Sequence, residues 1–354
     1  MTNIITFYNH KGGVSKTTTI FNLAHYLSEN NKKVLVVDAD PQCNATEILL
    51  SRQIAMLDEE QYETGIDKEI SGESLLEILK PRIEGEIPAI NTQEIRVNRI
   101  NDNIHLIRGD VSLSSIEDAL AEAHIQRFST KTHDKRTYVA LGDFLTRFGE
   151  EQGYHFILID VGPSSGALTR SCFLACDGFF IPTAPDRFNV QAIATLSSII
   201  DRWMSEHQQI YNQFLELGLP IKHGKPKFLG TTIQQFKTLN GRPKPGYRLW
   251  MDRIPNNVLI KLFPVLRKHS TDKDLTCGLD ENTITATDIP DFGTLAPLMQ
   301  EYGKAVFQIT QPETAIVTET GTPWGGGTWL DAQRRMNTYK TKYKTIADRL
   351  DLLL

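Results

Sequence analysis

The chain has 354 residues, of which 40% are hydrophobic and 23% are charged, the balance of a globular protein. It contains no apolar stretch of about 18 residues, which excludes a membrane-spanning helix. Its four cysteines are too scattered for a disulfide framework. The chain enters a strand pattern at once, which argues against a signal peptide. We therefore expect a cytoplasmic location.

Short apolar runs alternate with helical patterns along the chain. The predicted strands cover residues 4–8, 34–38, 104–108, 156–160, 178–182 and 228–233, and the predicted helices cover 17–30, 113–124, 139–152, 168–175, 190–209 and 329–352. This alternation indicates a parallel sheet with helices on both faces. The continuous apolar run at 34–37 is typical of a strand buried on both faces. The sequence thus predicts an α/β fold with three layers around a twisted parallel sheet.

Three regions interrupt this alternation. Residues 50–100 are acidic and irregular, and residues 236–282 are basic, with a loop at 238–250 that is rich in proline and glycine. We interpret both regions as insertions into a domain of residues 1–310. Residues 311–354 form a C-terminal extension that ends in a helix. The apolar side chains of that helix are explained most simply by packing on the domain, and we expect no membrane contact.

Residues 9–19 read Asn-His-Lys-Gly-Gly-Val-Ser-Lys-Thr-Thr-Thr and lie between the first strand and the first helix. A glycine-rich loop in this context suits a polyphosphate, because its amides and the helix N-terminus direct partial positive charge to one place. Gly12 and Gly13 carry no Cβ to obstruct the phosphates. We expect Lys16 to reach the β- and γ-phosphates and the Thr17 hydroxyl to bind Mg²⁺. The alternative is a chance glycine turn before a helix.

His10 and Ser15 stand where the common form of this loop has glycine, so the match is to the form K-G-G-x-x-K-[ST]. On this motif the chain resembles the ParA/MinD superfamily of ATPases over about residues 1–310. The resemblance implies a P-loop NTPase fold. It is nearest to the short ParA/Soj-type partition ATPases, since no helix-turn-helix domain precedes the loop. It also implies that ATP contacts the loop residues Lys11, Gly12, Gly13, Val14, Ser15, Lys16, Thr17 and Thr18.

Two apolar strand patterns end in carboxylates. One ends in Asp38 and Asp40, within Asp-Ala-Asp-Pro-Gln, and the other ends in Asp160. Strand ends beside a phosphate loop are where α/β folds bind ligands, and acids there serve Mg²⁺ and the attacking water. The family resemblance implies that Asp40 acts on the water, Asp38 supports the metal and Asp160 holds the metal. The alternative for the first pair is an ordinary Asp-Pro turn.

The nucleoside side of the site is less well specified by the sequence. Pro182 and Pro185 resemble the family's P-x-x-P loop beside the nucleoside. Thr232 or Gln234 stands where the family often has an asparagine that reads adenine. We therefore expect phosphate binding to be better defined than recognition of the base.

Lys11 is a second lysine, five residues before Lys16, and one set of phosphates already has Lys16. In the family that the chain resembles, this lysine reaches the partner's phosphates across an ATP-dependent homodimer. That resemblance implies a catalytic set of Lys11, Lys16 and Asp40, with slow, partner-stimulated hydrolysis. A solvated surface lysine is the alternative.

Basic residues are concentrated in residues 222–273, which hold twelve Lys or Arg and two Asp, a net charge of +10 in a chain whose net charge is −5. Such segregation is typical of an electrostatic binding surface. Lys237, Arg242 and Lys244 follow the strand after which related partition ATPases carry DNA-contacting residues, so we predict non-specific DNA binding and association with the nucleoid. The alternative is a solvated basic face, or one that docks the acidic insertion of a neighbour.

The sequence therefore favours an ATP-dependent dimerisation switch that partitions a plasmid or chromosome, or positions another cargo, with a ParB-like or other activating partner. Two alternatives stay open. One is a regulatory ATPase subunit of a larger assembly, such as a defence or secretion system, whose insertions dock protein partners. The other is an amidoligase or synthetase-type enzyme that uses the same loop.

Overall fold

The computed structural model describes residues 1–66, 70–239 and 241–353. Its strands are β1 (Asn3–Phe7), β2 (Val34–Ala39), β3 (Asn98–Arg99), β4 (Ile104–Ile107), β5 (Phe156–Val161), β6 (Gly178–Thr183), β7 (Lys227–Gln234), β8 (Thr238–Leu239), β9 (Arg242–Pro243) and β10 (Thr285–Ile289). Eight of them form one sheet in the order β10-β7-β6-β1-β5-β2-β4-β3. Only β3 runs antiparallel to its neighbour in that sheet. The predicted parallel sheet is confirmed.

Helices cover both faces of the sheet. The α-helices are α1 (Lys16–Glu29), α2 (Asn44–Leu49), α3 (Ser51–Thr64), α4 (Leu75–Ile83), α5 (Glu117–Ile125), α6 (Thr132–Gln152), α7 (Ala167–Ala175), α8 (Arg187–Glu216), α9 (Pro245–Met251), α10 (Arg253–Asn257), α11 (Phe263–His269), α12 (Leu295–Tyr302) and α13 (Gly326–Asp348). Alternate β2 residues pack into opposite cores: Leu35 joins the core under α4–α8, and Val34 joins the core under α1, α12 and α13. The three-layer prediction is therefore confirmed.

The order of the strands gathers the ends of β1, β2 and β5 at one edge. β5 lies between β1 and β2, with Thr6 opposite Ile159 and Asp38 opposite Asp160. β6 flanks the other side of β1. Because these strands are parallel, the loops that leave their carboxyl ends meet at one point of the sheet, where α/β folds bind ligands.

Residues 50–100 are not irregular, contrary to the prediction. They contain α3 and α4, apart from residues 67–69, which lie outside the described residues. No side chain of α3 is fully buried, so this helix contributes little to the core from which helices are predicted. α4 begins with a capping box in which Ser74 and Glu77 satisfy each other's backbone amides. The region is acidic, as its sequence shows, but the prediction that it is irregular was wrong.

The predicted loop at 238–250 is also wrong in part. β8 and β9 pair as an antiparallel hairpin, and α9 follows directly with Pro245 in its first turn. The sequence has no strand-length run there, because each of the two strands has only two residues. Asn240 lies outside the described residues. Proline suits the first turn of a helix, where its missing N–H has no bond to make. Strand β10 was not predicted either, since its threonines gave no apolar run.

The terminal helix α13 packs its apolar face on α1 and β10, as predicted. Tyr343 and Ile346 are fully buried in the core beneath it, and Trp329 is partly buried at its start. Among the described residues no helix is long and apolar enough to cross a membrane. The apolar face of α13 is therefore occupied by contacts within the protein.

We expect Ile346→Ala to lower the free energy of unfolding by about 2–4 kcal/mol, because the substitution removes buried methylenes and leaves a cavity in the α1–α13 core. Leu330→Ala is the matched control on the same helix. Leu330 is 55% exposed, so its truncation should change the free energy by less than about 0.5 kcal/mol. Urea unfolding monitored by circular dichroism measures both. Equal losses would contradict the packing of α13.

Candidate functional site

The loop between β1 and α1 is held in a conformation that suits an anion. Gly13 and Ser15 both have left-handed backbones, with φ values of 68° and 62°. Loops with residues of this conformation form concave rows of amides that bind anions. α1 begins at Lys16, immediately after Ser15, so the positive end of the helix dipole lies at the same place. The backbone of this loop therefore suits an anion, and its binding of phosphate stays a prediction.

Lys16 lies inside this loop. Its side-chain ammonium donates to the carbonyl oxygens of Asn9 and Lys11, both at 3.2 Å, and the residue is 7% exposed. Burial lowers the pKa of Lys16, while Asp160 and Asp40 act in the opposite direction. The cation is thus held at the centre of the loop, facing the two carboxylate strand ends.

Asn9, at the start of the loop, was not singled out from the sequence. Its side-chain amide donates to the carbonyl oxygen of Pro182 at 2.8 Å, and its Oδ1 accepts from the Lys11 amide at 3.0 Å. The buried Asn9 therefore ties the loop to the end of β6. The sequence feature that could have identified Asn9 is its position as a polar residue directly after an apolar strand.

Lys11 differs from Lys16 in its surroundings. Its residue is exposed, and within the described part of the chain its ammonium has no hydrogen bond or ion pair. The side chain therefore stands at the mouth of the loop with its charge uncompensated. Such a cation is available to a group that comes from outside this chain.

Asp160 and Thr17 form the candidate metal centre. The Thr17 hydroxyl donates to Asp160 Oδ2 at 2.7 Å, and Asp160 Oδ1 is buried with no partner in the described residues. Burial, followed by the charge of Asp38, raises the pKa of Asp160, and burial also raises the pKa of Asp38. A nearby cation would stabilise the charged forms of these two buried carboxylates, one of which has an unpaired oxygen. Hydroxyl and carboxylate oxygens are the ligands that Mg²⁺ prefers, so the residues fit the ion.

Asp38 is also bonded within the fold. Its Oδ2 accepts from the Thr46 amide at 2.8 Å and from the Thr46 hydroxyl at 2.7 Å, and the same hydroxyl accepts from the Gly109 amide at 2.7 Å. Asp38 therefore joins β2 to α2 and to the turn after β4. The sequence did not reveal Thr46, since its role depends on how α2 folds back. A part in the metal shell stays a prediction.

Asp40, the predicted catalytic carboxylate, lies against the segment that follows β5. It is 6% exposed, and its Oδ1 accepts from the Gln42 amide at 3.0 Å. A Cβ at Gly162 would lie 3.0 Å from that oxygen, closer than almost any side chain tolerates. Glycine at 162 therefore makes room for Asp40. Gly12 approaches Pro163 in the same segment, so the phosphate loop and both strand ends meet here.

The residues expected near the nucleoside have mixed positions. Pro182 lies within β6 and Pro185 is buried in the loop before α8, so their contact with a nucleoside stays a prediction. The amide of Gln234 donates to the hydroxyls of Thr19 at 2.6 Å and Thr232 at 3.0 Å. Both candidates for base reading, Thr232 and Gln234, are therefore bonded to each other in the interior.

Gln235, which the sequence did not single out, contacts the phosphate loop directly. It has a left-handed backbone with φ of 60°, and its side-chain amide donates to the Ser15 hydroxyl at 3.0 Å. A non-glycine residue at this φ is uncommon and is often part of a site. The conformational preferences of glutamine do not predict a left-handed backbone, so the sequence did not identify Gln235.

The three predicted DNA-contacting residues lie on the β8–β9 hairpin. Arg242 pairs with Leu239, and the Lys244 amide donates to the Lys237 carbonyl oxygen at 3.1 Å, which closes the base of the hairpin. Lys237, Arg242 and Lys244 are all exposed. The hairpin begins two residues after Gln235, so one short segment links the basic cluster to the phosphate loop.

Three comparisons relate the chain to known proteins. A family model described as an AAA domain matches residues 2–216. An uncharacterised protein of Mycobacterium tuberculosis is 29% identical over 199 residues, which are 56% of this chain and 52% of that protein. The chromosome partitioning protein ParA of Caulobacter vibrioides is 28% identical over 199 residues, 56% of this chain and 62% of that protein. The match therefore spans only half to two thirds of these relatives.

Solved structures show the same fold. A Corynebacterium diphtheriae protein is 30% identical, with a TM-score of 0.55, and the match covers 72% of this chain and 88% of that one. Apo McdA of Cyanothece has a TM-score of 0.60 at 18% identity and covers 99% of this chain and 100% of its own. An ATP complex of a substituted Cyanothece McdA has a TM-score of 0.57 at 18% identity, and the match covers 97% of this chain and 96% of that one. The family model over residues 2–216 and the partition-protein relative, together with the K-G-G-x-x-K-[ST] loop, show that the chain belongs to the ParA/MinD superfamily of P-loop ATPases.

Proposed function

We propose that the chain is a ParA-like ATPase that dimerises with ATP, binds DNA without sequence preference and partitions a plasmid or chromosome or positions another cargo. The observation that carries the proposal is the pair of lysines in the loop, with Lys16 buried among loop carbonyls and Lys11 exposed and unpaired. The name of the Caulobacter relative, a chromosome partitioning protein, supports the biological role. We propose residues 1–310 as the ATPase unit and 311–354 as its extension.

In this proposal ATP occupies the loop between β1 and α1, as the ATP complex of McdA supports. The loop amides, the α1 N-terminus and the Lys16 ammonium bind the phosphates. Thr17 and Asp160 hold Mg²⁺, which neutralises phosphate charge. Asp40 orients the attacking water, because it is the carboxylate beside both the loop and the segment after β5. Hydrolysis is slow until an activating partner, ParB-like or of another kind, completes the arrangement.

Lys11 gives the switch its dependence on a second subunit. A cation at the mouth of the loop gains most when a partner's phosphates come into contact with it, comparable in role to an arginine finger. Hydrolysis removes the γ-phosphate and with it part of the contact between Lys11 and the partner's nucleotide. The dimer is therefore stable only while ATP is intact.

Lys11→Ala should bind ATP with an affinity within about threefold of the wild type, because Lys16 is retained, and should fail to dimerise. We expect ATP turnover to fall at least about tenfold, since a cation supplied in trans contributes strongly to phosphoryl transfer. Light scattering after gel filtration and a phosphate-release assay measure the two effects. Lys32→Ala, at an exposed lysine remote from the loop, is the control. Normal ATP-dependent dimers of the Lys11 variant would refute the switch.

Asp160→Asn should remove the dependence of ATP binding on Mg²⁺. We expect Mg²⁺ to tighten ATP binding by about 10–100-fold in the wild type and by less than about threefold in the variant, because the neutral amide does not stabilise the ion. Titration of a fluorescent ATP analogue with and without EDTA measures this ratio. Asp102→Asn, at an acid whose side chain is 89% exposed, is the matched control. An unchanged Mg²⁺ effect would exclude Asp160 from the metal site.

The basic hairpin supports the DNA-binding part of the proposal. Lys237, Arg242 and Lys244 have no ion pair within the described residues, so their charges are available to phosphates. Contacts of this kind carry no sequence information and weaken steeply with salt. The bond from Gln235 to Ser15 gives the hairpin a route by which to sense the occupied loop.

The triple substitution of Lys237, Arg242 and Lys244 by alanine should strongly weaken ATP-dependent DNA retention at low salt, because it removes three phosphate contacts. In the residual binding, the slope of log affinity against log salt should fall by about three, one for each lost phosphate contact. A triple alanine variant of Lys32, Arg96 and Lys131 removes the same charge from exposed positions elsewhere and should retain binding. If both variants lose DNA equally, net charge and not the hairpin is responsible.

A further inference from the structure

A cleft separate from the phosphate loop lies beside α6. It has a volume of about 300 Å³ and is bounded by the chain after α4, by α6 and by the turn that follows α8. None of its lining residues belongs to the phosphate loop or to the carboxylate strand ends. A volume of this size is at the lower end of small-molecule sites.

Two arginines line this cleft, and neither has an acidic partner among the described residues. Arg82 is 4% exposed, and its guanidinium donates only to backbone carbonyl oxygens, of Ile87 at 3.4 Å and His133 at 3.2 Å. Arg136 is exposed and has no hydrogen bond or ion pair within the described chain. Burial, and then the charge of Arg136, lowers the pKa of Arg82. The fold therefore places two like charges at one cleft with no acid of the described residues paired to either, which costs free energy that a bound anion would offset.

The acid that lines the cleft is already engaged. Both oxygens of Asp143 accept from the guanidinium of Arg147, at 3.0 Å and 2.8 Å, and Arg147 also donates to the Ile90 carbonyl oxygen at 3.0 Å. Asp143 is therefore neutralised by a third arginine and fixes the wall of the cleft. Its charge is not available to Arg82 or Arg136.

The rest of the cleft is apolar. Its walls include Pro88, Ile90, Val139, Leu219 and Pro220. Such walls favour an apolar body, while a pair of guanidinium groups favours a planar or tetrahedral oxyanion. The two halves of the lining thus select for a ligand that carries both features.

We propose that this cleft binds a small amphipathic anion, a carboxylate or phosphate monoester on a compact apolar group, with Arg82 and Arg136 as its anion-binding residues. The site goes beyond the proposed ATPase function and shares no residue with the nucleotide site. Because α6 leads into β5, which carries Asp160, a ligand here contacts an element that is continuous with the nucleotide site.

Phenyl phosphate is a suitable probe, because it joins an oxyanion to an apolar ring. Calorimetric titration of the full chain should give one saturable site with a Kd of about 1 mM. Inorganic phosphate and phenol each lack one half of the ligand, and each should bind at least about fivefold more weakly. Lys16→Ala should leave phenyl phosphate affinity within about twofold, which distinguishes the cleft from the phosphate loop.

Arg136→Gln should weaken phenyl phosphate binding at least about fivefold without unfolding the protein, because Arg136 is exposed. Arg99→Gln, at an exposed arginine with its own acid partner Asp102, is the control and should bind normally. Arg82→Gln should weaken binding in the same way, and circular dichroism verifies its fold. Unchanged binding by Arg136→Gln, loss of binding in Lys16→Ala, or the absence of saturable binding would each overturn the proposal.

Discussion

The burial of two carboxylates at adjacent strand ends is the constraint on which the rest of the site depends. Asp38 and Asp160 are both fully buried and lie opposite each other in the β2–β5 ladder. Like charges in such surroundings are costly unless donors or cations compensate them. Thr46 supplies donors to Asp38, whereas among the described residues Asp160 Oδ2 accepts from Thr17 and Oδ1 has no partner. The two acids therefore differ in their surroundings: Asp38 is bonded within the fold, and Asp160 keeps one unpaired oxygen among the described residues.

This asymmetry follows from the order of the strands. β5 is inserted between β1 and β2, so the acid at its end lies directly beside the helix that follows the phosphate loop. The acid at the end of β2 lies one strand farther away and is bonded by the helix that follows it. A second layer of support comes from α5, where Glu117 accepts from the amide of Leu168 at 3.1 Å. That bond caps α7 just after the segment that approaches Asp40, so this segment is fixed at both ends.

The sequence predicted what depends on local pattern and missed what depends on tertiary contact. Buried strands such as β2 and the spacing of Lys11 and Lys16 are evident in the sequence, because apolar runs and glycine loops have local causes. Helix α3 was missed because no side chain of it is buried. Asn9 and Gln235 were missed because their partners, Pro182 and Ser15, are distant in sequence. Their bonds exist only once β6 and β7 have taken their places in the sheet.

The bond between Gln235 and Ser15 connects the segment that leads into the β8–β9 hairpin to the phosphate loop. Both residues have left-handed backbones, which are costly for side chains other than glycine and persist only where the surroundings fix them. Ser15 belongs to the loop that would close around phosphates, and its hydroxyl accepts the Gln235 amide. A ligand that draws the Ser15 hydroxyl away would release Gln235 and relax its backbone. Because the hairpin begins two residues later, that relaxation would alter the direction in which Lys237 and its neighbours face.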